Sequence, residues 1–114
     1  MADDLIWASR LVAAVERNGA LAMAARSESE LDGLLAATAA VDAVLVDLNG
    51  RGYDGVAAVR RAATSGRPVL AVGQHEAQAL RRQALAAGAR RVFSYNKLFT
   101  DGPAVVAALL DGSL

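Results

Sequence analysis

The residues most able to do chemistry lie between Val41 and Gly55, in the segment VDAVLVDLNGRGYDG. An apolar run ends there in a single carboxylate, Asp47, and a glycine-rich loop follows and opens a helix. A carboxylate at a strand end is either a reactive group or a cap for neighbouring backbone N–H groups. The glycines instead match the dinucleotide-binding pattern G-x-G-x-x-G, at Gly50, Gly52 and Gly55. The two interpretations compete, because Asp47 would repel a pyrophosphate brought to the helix N-terminus.

The composition of the chain limits the classes of protein to which it can belong. The chain has 114 residues, 54% hydrophobic and 4% aromatic, which predicts one domain over residues 1–114 with an aliphatic core. With no cysteine and one histidine, we expect no disulfide, no thiolate nucleophile, no metal site and no cofactor. No apolar run reaches the roughly 18 residues of a membrane span. The first residues, MADD, are acidic where a signal peptide is basic. We therefore predict a soluble, cytoplasmic protein that contacts no membrane.

Charge is distributed unevenly along a chain whose formal net charge is zero. Residues 1–57 hold nine acidic and four basic side chains, a balance of −5, and residues 58–114 hold three acidic and eight basic ones, a balance of +5. Such a polarity suits an acidic protein partner or self-association as a homodimer. The candidate basic surface comprises Arg81, Arg82, Arg90 and Arg91, and the alternative is that these are simply solvated. No aromatic residues interleave with the arginines, so we do not expect nucleic-acid binding.

Strands and helices are predicted to alternate along the chain. The predicted strands are Asp4–Ala8, Ala20–Ala25, Ala43–Val46, Val69–Val72 and Val92–Tyr95. The predicted helices are Arg10–Asn18, Ser27 to about Ala39, Asp54 to about Ser65, Glu76–Ala87 and Asp101 to Leu110. Five such units without a linker or repeat predict an α/β fold, with one doubly wound five-stranded parallel sheet covered by helices on both faces.

Ligands of such a fold bind at the carboxyl ends of its strands. Besides Asp47, the candidate pocket residues near those ends are Ser9, Asn49, Arg51, Gly73, Gln74, Tyr95 and Lys97.

The chain resembles the receiver domains of two-component response regulators, the family that includes the single-domain chemotaxis regulator. The resemblance covers essentially all residues and rests on the segments VDAVLVDLNGRGYDG, RPVLAVG and ALAAGAR and on Lys97. It implies a flavodoxin-like (βα)5 fold with strand order 2-1-3-4-5. It also implies a role in signal transduction through a phosphorelay, with Asp47 at the phosphoacceptor position.

The resemblance weakens at the residues that support phosphoryl transfer. The family holds Mg²⁺ with two adjacent acids at the end of the first strand, because a cation must neutralise charge as a phosphoryl group approaches a carboxylate. The predicted first strand ends instead at Trp7, Ala8 and Ser9. Asp3 and Asp4 stand at its beginning, so we expect them at the far edge of the sheet.

Two further family positions also differ. The hydroxyl residue expected after the fourth strand is Gly73, and the family's lysine appears two residues late as Lys97, with Tyr95 and Asn96 at the expected spacing. Arg51, four residues after Asp47, is placed to neutralise it as an ion pair and to occupy the place of a phosphate.

We therefore predict a degenerate or pseudo-receiver, not an enzyme, that acts through protein–protein interaction. One alternative is a phosphorylatable receiver with Asp47 as the phosphoacceptor. A further alternative is a small dinucleotide-binding module that uses Gly50, Gly52 and Gly55.

Overall fold

The structure, a computed structural model, describes residues 1–37 and 41–114. The helices are α1 (Leu5–Glu16), α2 (Glu28–Ala37), α3 (Gly55–Thr64), α4 (Gln78–Ala87) and α5 (Tyr95–Asp111). The strands are β1 (Val44–Asp47), β2 (Val69–Gly73) and β3 (Arg91–Ser94). No helix in the described part of the chain has the length and apolar character needed to cross a bilayer.

The described strands form one parallel sheet in the order β1-β2-β3. The central strand β2 is buried along its whole length, and its side chains alternate between two apolar layers. Val69 and Ala71 pack with residues of α2, α3 and α4, whereas Leu70 and Val72 pack with residues of α1 and α5. Helices therefore cover both faces of a parallel sheet, which confirms the predicted α/β class.

The predicted first strand, Asp4–Ala8, is wrong, because these residues begin helix α1. Asp4 is the N-cap, and its carboxylate accepts hydrogen bonds from the Ile6 and Trp7 amides at 2.9 and 3.1 Å. The short apolar run in DLIWA is a weaker signal than this cap followed by buried Leu11 and Ala14 at helical spacing.

A short extended segment, Met1–Ala2, lies beside β1 where the first strand was expected. The Met1 nitrogen donates to the Leu45 carbonyl at 2.5 Å, and the Asp47 amide donates to the Met1 carbonyl at 2.9 Å. On the other side, the Ala2 amide donates to the Ala25 carbonyl at 3.1 Å. The predicted second strand, residues 20–25, has no strand structure. Among the described residues the sheet thus has three strands and not the predicted five.

From β1 to β3 the predicted elements are present with shifted ends. Asp54 caps α3 as expected, accepting from the Ala57 amide at 3.1 Å. Gly88 ends α4 in the left-handed region at φ 119°, and a Cβ there would meet the Ala63 side chain at 2.5 Å. The predicted end of α2 at about residue 39 lies outside the described residues.

The last helix differs from its prediction. It begins at Tyr95, the residue predicted to end the fifth strand, and Asp101 is a kink within it (φ −126°, ψ 19°) and not its start. Pro103 follows the kink, since proline suits the first turn of a new helical segment. Tyr95 is thereby carried on a short helical stretch directly after β3.

Candidate functional site

Asp47 is the one buried charged residue of the described chain, with 1% of its surface exposed. It is the last residue of β1, where a parallel sheet presents its functional edge. Its carboxylate accepts a short hydrogen bond from the Tyr95 hydroxyl and a second from the Asn49 amide at 3.1 Å. The carboxylate is therefore engaged by protein donors and withdrawn from solvent.

A stack of side chains, which we call the aromatic cover, lies above Asp47 and consists of Tyr95, Trp7, Arg10 and Phe99. The Trp7 and Tyr95 rings stack with centroids 4.1 Å apart and an interplanar angle of 25°. The Arg10 guanidinium lies 4.9 Å from the Trp7 ring and 4.7 Å from the Phe99 ring, within the range of cation–π attraction. Helices α1 and α5 thus jointly close the approach to Asp47.

Asn49 joins the ends of β1 and β2. Its side-chain oxygen accepts from the Gln74 amide at 3.0 Å and from the Tyr95 hydroxyl at 3.3 Å. A Cβ on Gly73 would lie 3.1 Å from that oxygen, so the glycine leaves room for Asn49. The structure therefore brings together five of the candidate pocket residues, Asp47, Asn49, Gly73, Gln74 and Tyr95.

The acidic pair near the start of the chain lies at this same edge. One carboxylate oxygen of Asp3 accepts from the Arg51 amide at 3.2 Å, and the other accepts from the Gly52 amide at 2.5 Å. The expectation that Asp3 and Asp4 lie at the far edge is wrong, because they follow the extended segment Met1–Ala2 and do not begin a strand. The sequence signal for this position is Asp4 as a helix N-cap, which places Asp3 directly before α1.

Two of the glycines after Asp47 allow neighbouring atoms to approach the backbone closely. A Cβ on Gly50 would overlap the Tyr53 ring at 2.2 Å, and a Cβ on Gly55 would lie 2.7 Å from the Leu48 backbone. The Tyr53 hydroxyl donates to the Asp47 carbonyl at 2.6 Å, which fixes the loop against the strand end. Because Asp3 occupies the Arg51 and Gly52 amides, neither of these amides is open to a pyrophosphate.

Three predicted pocket residues lie outside the Asp47 cluster. Ser9 is exposed within α1. The Lys97 ammonium binds the Asp101 carboxylate at 2.8 Å, one turn along α5. Arg51 is exposed, and within residues 1–37 and 41–114 no ion pair joins it to Asp47, so that hypothesis is wrong; a tyrosine hydroxyl takes the expected place of the guanidinium.

The carboxylates near the site do not fit the Mg²⁺ site that the resemblance to receiver domains implies. Asp3 accepts from loop amides, Asp4 accepts from the first turn of α1, and Asp47 accepts from Tyr95 and Asn49. In the described part of the chain no three acidic or histidine side chains are arranged to hold a metal ion. A hard cation needs several oxygens directed at one point.

Electrostatics make Asp47 costly to ionise. Burial raises its pKa above the ordinary value, and repulsion by Asp3 and Asp4 raises it further, while the Tyr95 and Asn49 hydrogen bonds lower it in part. Burial, followed by the bond to Asp47, raises the pKa of Tyr95. Tyr95 therefore stays protonated and remains a donor to the carboxylate.

Replacing this carboxylate by an amide, Asp47→Asn, is expected to stabilise the fold near neutral pH by about 1 kcal/mol. A carboxyl whose folded-state pKa is raised favours folding when protonated and loses that contribution as pH rises through the folded pKa. The gain should thus shrink as pH falls and vanish below the ordinary pKa of 3.8. Urea unfolding across this pH range measures the gain in stability.

The exposed control Glu16→Gln should change stability by less than about 0.5 kcal/mol. If Asp47→Asn leaves the stability at neutral pH unchanged, burial of the carboxylate does not carry the expected cost.

The predicted basic surface is exposed in the structure. Arg81 and Arg82 lie on α4, Arg90 lies in the turn after it, and all three are solvent-exposed. Arg91 is exposed at the start of β3, with its guanidinium 5.3 Å from the centroid of the Phe93 ring. These positions give the arginines access to a partner.

Comparison with known proteins identifies the fold. No family model and no curated protein matches the chain. Solved structures do match it. One is a response regulator from Burkholderia pseudomallei with a phosphorylated aspartic acid, calcium ion and citrate. Its TM-score is 0.78 at 20% sequence identity, and the match covers 96% of this chain and 62% of that chain. A response regulator from Thermotoga maritima matches at TM-score 0.80 and 18% identity, over 97% and 93%. The signal receiver domain of a DNA-binding response regulator from Colwellia psychrerythraea matches at TM-score 0.78 and 24% identity, over 96% and 94%. The chain therefore has the fold of a response-regulator receiver domain.

Proposed function

We propose that this chain is an atypical, receiver-like signalling domain of the cytoplasm that acts by protein–protein interaction and not by conventional Mg²⁺-dependent phosphorylation. The observation that carries the proposal is the short hydrogen bond from Tyr95 to Asp47 beneath the stacked Trp7 ring. In this reading the receiver scaffold is retained as an interaction surface, and its reactive carboxylate is a structural acceptor.

The chemistry of phosphoryl transfer explains why this bond matters. A carboxylate that attacks phosphorus needs a free oxygen and a cation that offsets the negative charge of the incoming group. Here the Tyr95 hydroxyl engages the Asp47 carboxylate, and Asp3 and Asp4 are directed at backbone amides. The Asp47 pocket therefore resists both the phosphoryl group and its metal.

A phosphorylatable receiver is the second candidate, and one observation favours it. Asp3 and Asp4 lie at the same edge as Asp47 and close enough to raise its pKa. If Asp3 released the Arg51 and Gly52 amides and Tyr95 rotated away, the carboxylates would approach the donor set that Mg²⁺ requires.

Incubation with acetyl phosphate and Mg²⁺ separates the two candidates. We expect the intact mass of the protein to stay unchanged, as it should for Asp47→Asn, because the carboxylate is covered. A phosphoryl adduct on the unmodified chain that is absent from Asp47→Asn would establish the phosphorylatable receiver and overturn the proposal.

We propose the basic surface formed by Arg81, Arg82, Arg90 and Arg91 as the interaction site, with the acidic half of a second copy as its simplest partner. The double charge reversal Arg81→Glu and Arg82→Glu is expected to weaken self-association about tenfold at low salt, and added salt should weaken it in the unmodified chain. Sedimentation equilibrium measures both. A matched pair of exposed reversals elsewhere, Arg17→Glu and Arg60→Glu, should have a smaller effect; equal loss in the two pairs would contradict the assigned surface.

A further inference from the structure

Two aromatic rings and one carboxylate are joined in series at the Asp47 site. The half-buried Trp7 ring stacks on the Tyr95 ring, with centroids 4.1 Å apart and an interplanar angle of 25°. The Tyr95 hydroxyl in turn donates a hydrogen bond to the Asp47 carboxylate. An electron can therefore pass between two rings that are in contact, while a proton passes along a hydrogen bond that is already formed.

The charges around this series favour oxidation of Tyr95 over oxidation of Trp7. The Arg10 guanidinium lies 4.9 Å from the Trp7 ring centroid and disfavours a positive charge on the indole. On the other side, burial raises the pKa of Asp47, which makes its carboxylate a stronger proton acceptor. A phenol that gives up its proton as it loses an electron is easier to oxidise than one that must keep the proton. An electron vacancy created on Trp7 should therefore pass to Tyr95.

The second tyrosine of the chain lacks both of these partners. The sequence has one tryptophan, two tyrosines and no cysteine. The Tyr53 hydroxyl donates to the Asp47 backbone carbonyl at 2.6 Å, and a carbonyl oxygen is a far weaker base than a carboxylate. Within residues 1–37 and 41–114, no ring contact joins Tyr53 to Trp7. Tyr95 is thus the tyrosine that has an electron partner and a proton acceptor together.

We propose that Trp7, Tyr95 and Asp47 form a one-electron redox relay that diffusible one-electron oxidants, such as inorganic radicals, enter at Trp7. The oxidant removes one electron from the indole and leaves an indolyl radical cation. Tyr95 supplies an electron to the indole, its O–H bond breaks, and the proton forms an O–H bond on the Asp47 carboxylate. The products are intact Trp7, a tyrosyl radical and a neutral Asp47.

A diffusible one-electron reductant such as ascorbate reverses the relay. It returns an electron to Tyr95, and the proton moves back from Asp47 to the phenol oxygen. The relay goes beyond the interaction role proposed above, because it requires no protein partner and is tested by electron transfer alone.

Pulse radiolysis with the azide radical, a one-electron oxidant that prefers indole to phenol, tests the relay in the whole protein. We expect the visible absorption of the indolyl radical to decay as the tyrosyl absorption grows, at a rate independent of protein concentration. Tyr95→Phe should abolish the tyrosyl signal, whereas the matched control Tyr53→Phe should retain it. A tyrosyl signal that survives in Tyr95→Phe would overturn the proposal.

Asp47→Asn tests the proton step, because it keeps both rings and removes the base. We expect electron transfer from Tyr95 to Trp7 to slow at least about tenfold, as when a positioned general base is lost. Equal rates in Asp47→Asn and the unmodified protein would contradict the relay. The unmodified protein gives a second readout that needs no variant: transfer should be slower in D2O than in H2O, because the proton moves with the electron. The same rate in both solvents would also overturn the proposal.

Discussion

Replacing Gly55 by alanine is expected to destabilise the protein by about 2–3 kcal/mol, although the residue lies in a helix, where alanine is normally favoured. The new methyl group would sit 2.7 Å from the backbone of Leu48, directly after the functional strand end. Backbone atoms cannot rotate away, so either α3 or the loop must move. Urea unfolding measures this loss as the difference in unfolding free energy between the two proteins, with the same dependence on urea concentration assumed for both.

Gly33→Ala is the matched control for that substitution. Gly33 also lies in a helix, and a methyl group there would meet open space. The control should stabilise the protein by roughly 0.5–1 kcal/mol, the ordinary difference between the two residues in a helix. If Gly55→Ala proves as stable as Gly33→Ala, the glycine is not required for packing and the dinucleotide-binding interpretation of the loop regains support.

Tyr95→Phe should be the most damaging conservative change at the site, with a cost of about 1.5–3 kcal/mol near neutral pH. It removes the hydroxyl that donates to the buried Asp47 carboxylate and leaves the stacked ring in place. Since that bond lowers the pKa of Asp47, its loss raises the pKa further, and the lost stability should return as pH falls and the carboxyl is protonated. Chemical unfolding as a function of pH measures both effects.

Tyr53→Phe serves as the control, because its hydroxyl donates to the Asp47 backbone carbonyl and not to the carboxylate. We expect a smaller cost, about 1 kcal/mol, with a weaker pH dependence. A double-mutant cycle with Asp47→Asn isolates the coupling of Tyr95 to the charge. No coupling between positions 47 and 95 would mean that the hydrogen bond does not hold the carboxylate, and the argument for a covered Asp47 would fail.

The parallel core was predictable from local signals, whereas the start of the chain was not. The runs that became β1 and β2 are short, continuous and apolar, and Asp54 and Gly88 mark helix ends with residues suited to those positions. Around Trp7 two signals conflict: the short apolar run in DLIWA favours a strand, while a capping aspartate with Leu11 buried in the following turns favours a helix. The cap prevails, because a helix satisfies its backbone internally and an edge strand does not.

The candidate site was likewise predictable only in part. Asp47 and Tyr95 were placed near one another because both were expected at strand ends of one sheet. The sequence could not predict that Tyr95, and not Arg51, would contact the Asp47 carboxylate. The hydrogen bond from Tyr95 to Asp47 joins residues 48 positions apart, and it depends on where α5 begins. The misplaced first strand carried Asp3 and Asp4 to the wrong edge, so an error of one element removed two carboxylates from the predicted site.

The stacking of Trp7 on Tyr95 has an optical consequence. Trp7 is the only tryptophan in the sequence, so the indole emission of the whole protein originates at one point, above Asp47 and beneath the Arg10 guanidinium. Its wavelength and quenching report whether the aromatic cover is closed, and no residue of α4 belongs to the apolar cluster in which Trp7 packs. Far-ultraviolet dichroism instead reports the backbone of all the helices, so a transition seen in Trp7 emission alone is local to the aromatic cover.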